Sequence, residues 1–190
     1  MNEILRRRRS LIAKPKDILY QISNYAFNNE YIDTGIQLLL EDIDWSMVYD
    51  ININTNPASG IGSTMSFMVI RTGATVRLRI GKYSAGSNII MYVYMSNSNY
   101  QQTTNMGTGR FRFVLQRPQG RGLTIYINKD TGDISTKYIN NAFVSRDANL
   151  ILGGAWEDSQ YLPTGTLNTV KVYKRLLTTN EINSFLEGNI

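Results

Sequence analysis

The chain has 190 residues, enough for one domain with a full hydrophobic core and a short appendage. It contains no histidine and no cysteine, which excludes a Ser-His-Asp triad, a Cys-His dyad, histidine-ligated zinc, thiolate nucleophiles and disulfides. The net charge of +5 sits in residues 1–16, where Arg6, Arg7, Arg8, Arg9, Lys14 and Lys16 meet the single Glu3, and the remainder balances 14 basic against 14 acidic residues. Any acidic partner is therefore a partner of this arm and not of the body.

Within the arm, Leu11-Ile12-Ala13 is the only apolar stretch before Lys14-Pro15-Lys16 interrupts it, too short for the core of an export signal. No window approaches the eighteen or so apolar residues of a membrane helix. The expectation is a chain made in a cytoplasm with no signal peptide and no membrane span. Four consecutive arginines fill a whole helical turn and repel one another, so the segment needs a partner to order it. Ile4 and Leu5 recur seven residues on as Leu11 and Ile12, and Pro15 ends any helix. Ile4, Leu5, Arg6, Arg7, Arg8, Arg9, Leu11 and Ile12 thus read as an anchoring arm. A groove on an acidic protein satisfies both the guanidinium groups and the aliphatic residues. Anionic lipid is an alternative. Nucleic acid is disfavoured as a partner, because one short basic run without aromatics beside a neutral body makes a poor binder.

The body, residues 17–190, reads as strands. Between 16 and 44 the pattern is irregular, with Ala26-Phe27 and Tyr31 to Gly35 resembling a first strand, and Glu41-Asp42-Ile43-Asp44 a loop. Behind Trp45, a core residue, Met47, Tyr49, Ile51 and Ile53 alternate with polar positions; Met65, Phe67 and Val69 do the same after a Gly-Ser turn. Val76, Leu78 and Ile80 alternate with Arg77, Arg79 and Gly81, which predicts one apolar and one solvated face. Ile89 to Met95 is apolar throughout, as in a strand covered on both sides, and Ser96 to Arg110 is a polar tip. Phe111, Phe113 and Leu115 alternate next. Leu123, Ile125 and Ile127 lead into Lys129-Asp130-Thr131-Gly132, which is hairpin-turn chemistry. Thr178-Thr179-Asn180-Glu181 fits a capping box, Ile182, Phe185 and Leu186 form a short apolar stripe, and Gly188 stops the helix. Eight to twelve strands with one terminal helix predict an all-β protein, a two-sheet antiparallel jelly-roll sandwich.

The C-terminal third carries a more specific signal. Asn149 to Gly154, Gly165 to Leu177 and Thr178 to Leu186 resemble the closing signature of laminin G-like jelly rolls in the concanavalin A-like superfamily: an l-x-i-G strand, a G-x-I-D-D-V-r-I-Y-n-R-x-L strand and an s-x-x-E-I helix. Tyr31 to Gly35, Asp44 to Asp50 and Phe111 to Asn128 resemble its upstream strands, so the likeness spans about residues 24 to 188. Two departures matter. Asn168 and Thr169 stand where the family commonly has two aspartates, and Asn128-Lys129 where it has Asp-Gly. Each removes a charged oxygen ligand of the kind calcium prefers, so the resemblance implies neither a metal nor a cofactor here. The arm resembles N-termini of structural proteins of tailed bacteriophages.

Laminarinase-type hydrolases share the superfamily fold and use paired carboxylates in an E-x-D-x-x-E motif. The acidic cluster at Glu41, Asp42 and Asp44 has the wrong spacing, so no catalytic residue is assigned. Two segments fit sugar binding, where a ring stacks on the apolar face of a saccharide and polar groups take its hydroxyls. One is the 154–166 loop with Trp156, Asp158, Gln160 and Tyr161, although packing against the terminal helix is the plainer reading of Trp156. The other is the tip at Tyr100. The expected function is a non-enzymatic virion structural or decoration protein, its arm docked to other virion proteins and its jelly roll displayed for weak adhesion to a host glycan. A free carbohydrate-binding module is the alternative, and a glycoside hydrolase the third reading. Self-association as a homo-oligomer stays open, with no long heptad run to specify it.

Overall fold

In the computed structural model, residues 17–28, 31–38, 43–55, 64–72, 75–85, 88–95, 98–105, 107–129, 134–139, 148–153 and 164–189 are described. They form twelve strands and one helix, in two six-stranded antiparallel sheets. The first sheet contains, in spatial order, β1 (Ile18–Asn28), β12 (Thr164–Tyr173), β3 (Trp45–Ile53), β8 (Gly109–Arg117), β9 (Leu123–Lys129) and β10 (Ile134–Ile139). The second contains β2 (Ile32–Leu38), β11 (Ala148–Leu152), β4 (Thr64–Thr72), β5 (Thr75–Ala85), β6 (Asn88–Met95) and β7 (Ser98–Asn105). The helix α1 (Thr179–Glu187) follows β12. This is the expected jelly-roll sandwich.

Period-two alternation explains why these segments stack face to face. Trp45, Met47, Tyr49, Ile51 and Ile53 of β3 are fully buried between the sheets, with Phe111, Phe113 and Leu115 of β8 and Leu123, Ile125 and Ile127 of β9. Tyr49 stacks on Phe113 at 5.2 Å, and Phe113 on Phe67 of the opposite sheet at 6.1 Å. The Tyr49 hydroxyl donates to the Phe67 carbonyl at 2.7 Å, stitching one sheet to the other, and burial pushes this phenol well above its ordinary value. Lys82 is also fully buried; its ammonium donates to the Gly107 carbonyl and lies 4.9 Å from the Phe111 ring centre. β9 and β10, the strands on either side of the reversal expected at Lys129 to Gly132, pair antiparallel in unbroken register, while residues 130–133 lie outside the described residues.

The structure departs from simple alternation in three places. The β4–β5 register slips between Ser66 and Met68, so that Phe67 and Met68 both belong to the central core while Val69 pairs with Ile151 in a separate buried cluster. The expected Met65–Phe67–Val69 face is therefore broken at Phe67. The polar tip is largely a strand: residues 98–105 form β7 at the edge of the second sheet. The first strand begins at Ile18, and the Tyr31 to Gly35 segment lies at and within β2, in the other sheet.

Close backbone approach fixes one residue type. A Cβ on Gly81 would stand 2.0 Å from the Met65 carbonyl oxygen, so the β4–β5 slip requires glycine there.

Candidate functional site

Helix α1 decides which surfaces of the first sheet are open. Thr178 and Glu181 make the full capping box, and Gly188 closes the helix at φ 84°. Ile182, Phe185 and Leu186 pack on Val48 and Val114, the outward residues of β3 and β8, with Leu177 alongside and Tyr126 and Tyr173 at the margin. Polar groups tie down both ends of this segment. Gln116 donates to the Leu177 carbonyl at 2.7 Å, while Asn128 and Arg112 donate to the Leu186 carbonyl at 2.8 and 3.2 Å. The two cationic and amide donors sit where the helix leaves its last carbonyls unsatisfied.

Beside the helix end lies a charged knot. Buried Asp50 accepts from Arg110 at 2.9 and 2.6 Å, from Arg112 at 3.3 Å and from Asn168 at 2.9 Å. Burial raises this carboxyl, but the hydrogen bonds from Arg110 and Asn168 and the two positive charges outweigh it and hold it below the usual carboxylate value. Asn168 and Asn128, the two departures from the family pattern, are thus both structural: one bonds Asp50, the other holds the helix end. Among the described residues no three acidic or imidazole groups gather as a metal site would need.

The open part of this face is a ledge between α1 and the edge strand β10. Tyr138 pairs with Thr124, and Thr136 with Tyr126, so the four residues share one face of the β9–β10 hairpin with the two tyrosines on a diagonal. Tyr138 is 53% exposed, the most exposed large hydrophobic side chain among the described residues. Thr136 is exposed, and Thr124 and Tyr126 are half-buried. Exposed Gln119 and Arg121 lie in the turn that leads into β9 at the Tyr138 end. An exposed aromatic ring on a face with two threonines, and an amide and a guanidinium in the adjoining turn, has the composition of a saccharide subsite.

Ile4, Leu5, Arg6, Arg7, Arg8, Arg9, Leu11 and Ile12, and the loop residues Trp156, Asp158, Gln160 and Tyr161, fall outside the described residues. Tyr100 lies in β7, where the register places it opposite Val93, itself opposite the core residue Ile80. Asp44 is exposed and accepts the Gln119 backbone N–H at 2.8 Å, consistent with the loop reading. The ledge was missed by sequence reasoning. Its signal was the alternation Thr124-Tyr126-Asn128 and Thr136-Tyr138 on a hairpin whose first strand has the apolar residues Leu123, Ile125 and Ile127 on its other face.

No family model and no curated protein sequence matches the chain. Solved structures do. The CBM40 of Ruminococcus gnavus IT-sialidase, solved with α2,3-sialyllactose bound, aligns over 88% of this chain and 97% of that one, with TM-score 0.60 and 14% identity. A leech intramolecular trans-sialidase aligns with TM-score 0.61 and 14% identity over 88% of this chain, which spans 27% of that enzyme. A SAP-like pentraxin from Limulus polyphemus aligns with TM-score 0.57 and 13% identity over 90% and 82% of the two chains. At such identities these likenesses show the fold alone: an all-β jelly-roll sandwich.

Proposed function

We propose that the chain is a non-enzymatic glycan-binding module, held on a bacteriophage particle by residues 1–16 and presenting its jelly roll to a host surface. The observation that carries the binding half is the Tyr138 ledge, an exposed aromatic that shares one face of the β9–β10 hairpin with threonine hydroxyls, with an amide and a guanidinium in the turn leading into β9. Rings mounted on strands lose little entropy on meeting a sugar, which favours them as weak adhesive sites. Asp50, the buried carboxylate among the described residues, is bonded by two arginines and stays ionised, so it is no general acid at neutral pH.

The architecture suits display. Ile18, Tyr173, Ser46, Gln116, Thr124 and Tyr138 form one continuous cross-strand row from edge to edge of the first sheet. The arm joins next to Ile18 and the ledge ends at Tyr138, five inter-strand steps or about 24 Å away. An anchor at one edge therefore leaves the other clear, and many copies on one particle convert weak sites into avidity.

The test is a glycan array probed with the labelled full chain, including the α2,3- and α2,6-sialyllactoses bound by the sialidase modules of the same fold. Retention of a defined glycan supports the reading, and an empty array refutes it. Co-sedimentation with particles of the source phage lacking this protein, for the full chain against one starting at Asp17, tests the anchoring half.

A further inference from the structure

A sandwich of two open sheets has four edge strands, each offering unpaired N–H and C=O groups to another chain. Among the described residues the edges are β1 and β10 in the first sheet and β2 and β7 in the second. Three of the four carry a recognisable block. In β1, Asn24 adopts a left-handed φ of 56° and the pairing with β12 shifts near Ile18. In β2, Gly35 is left-handed at φ 64°, its N–H is bound by the Asp33 carboxylate at 3.0 Å, and the register with β11 slips between Asn149 and Ile151. In β10, Lys137 places a charge in the middle of the edge strand.

Among the described residues the fourth edge has no such device. β7 reads Ser-Asn-Tyr-Gln-Gln-Thr-Thr-Asn, with no charge and no proline, and Ser98 to Gln102 pair with Met95 to Met91 of β6 in unbroken register. Its irregularity falls only beyond Gln102. We infer that β7 is a self-association edge: two copies join antiparallel through Ser98–Gln102 about a two-fold axis, merging their second sheets into one of twelve strands. A second copy fits better than a foreign peptide, because an isologous pairing of this segment opposes only neutral hydrogen-bonding residues and meets no like-charge penalty. This inference rests on the edge geometry alone and is independent of the glycan reading.

The experiment is sedimentation equilibrium of the full chain from about 1 μM to about 1 mM, the range of weak, reversible interfaces. The mass should rise with concentration from 21.6 kDa towards twice that value. A two-fold axis through the segment puts Gln101 within one cross-strand neighbour of its mate. Gln101→Lys and Gln101→Glu should each therefore stay monomeric, with an unchanged circular dichroism spectrum. An equimolar mixture of the two variants should recover the dimer by charge complementarity. A wild-type chain monomeric throughout, variants that associate as the wild type does, or a mixture that stays monomeric would each overturn the inference.

Discussion

Cutting the clasp around Arg175 should destabilise the fold in a way that depends on pH. Arg175 joins the start of β1 to the helix: its Nε donates to Asp17 at 2.5 Å, and Nη2 and Nη1 donate to the two oxygens of Glu181 at 2.6 and 2.9 Å. It also lies 5.4 Å from the Tyr173 ring centre. The guanidinium hydrogen bonds, helped by the Thr178 backbone N–H, bring the Glu181 carboxyl from 4.5 down to about 2. Asp17 is lowered as well, chiefly by its bond to Arg175. A fall of that size at Glu181 corresponds by linkage to about 3 kcal/mol at most. The Arg175 and Glu181 side chains are 38% and 36% exposed, and part of the lowering belongs to the cap, so solvent screening reduces the expected cost of Arg175→Met to about 1 kcal/mol.

The sign follows from the depressed carboxylates. Their contribution is complete above the ordinary value of 4.5 and disappears as pH falls towards 2. Urea unfolding of wild type and Arg175→Met should therefore show a gap of about 1 kcal/mol at neutral pH that closes through this acid window. A double-mutant cycle with Glu181→Gln should return most of that gap as coupling. A gap that is absent at neutral pH, or that stays constant down to pH 2, would refute the reasoning.

Two further substitutions probe the frame of the fold. Gly81→Ala pushes a methyl to 2.0 Å from the Met65 carbonyl oxygen, and should cost about 3 kcal/mol or abolish folding; a melting temperature within a degree or so of wild type would contradict the close approach. Asp50→Ala leaves Arg112, 13% exposed, beside the helix end without its counter-charge and should cost about 3 kcal/mol at neutral pH. Because the folded carboxyl of Asp50 is depressed, the difference should shrink below the ordinary value of 3.8, which urea titrations at several pH values would reveal.

The parts of the fold that were legible share a physical cause. Residues 45–53, 111–115 and 123–127 sit in strands whose inward face is the apolar core and whose outward face carries mostly polar residues, even where α1 covers it, so their alternation survives in sequence, and the capping box and Gly188 announce the helix because few other structures need those groups in that order. What escaped was set by tertiary context. An edge strand such as β7 needs no apolar stripe, so Asn, Gln and Thr there look like a loop. The slip at Phe67 depends on Gly81 across the ladder, which no local window records. Asn168 and Asn128 were read only as lost carboxylates, because their partners Asp50 and the Leu186 carbonyl lie 118 and 58 residues away. The ledge was hidden for a related reason: Tyr138 is exposed only because β10 is an edge and α1 stops short of it, and neither fact is local to residue 138.

The most direct test of the account compares glycan binding by the full chain and by Tyr138→Ala. Tyr138 is more than half exposed, so its truncation should leave the melting temperature close to that of wild type. With any glycan the array retains, the variant should lose about tenfold or more in affinity, the equivalent of about 1.4 kcal/mol. Equal binding by the two chains would show that the ledge is not the sugar site and would contradict the central claim.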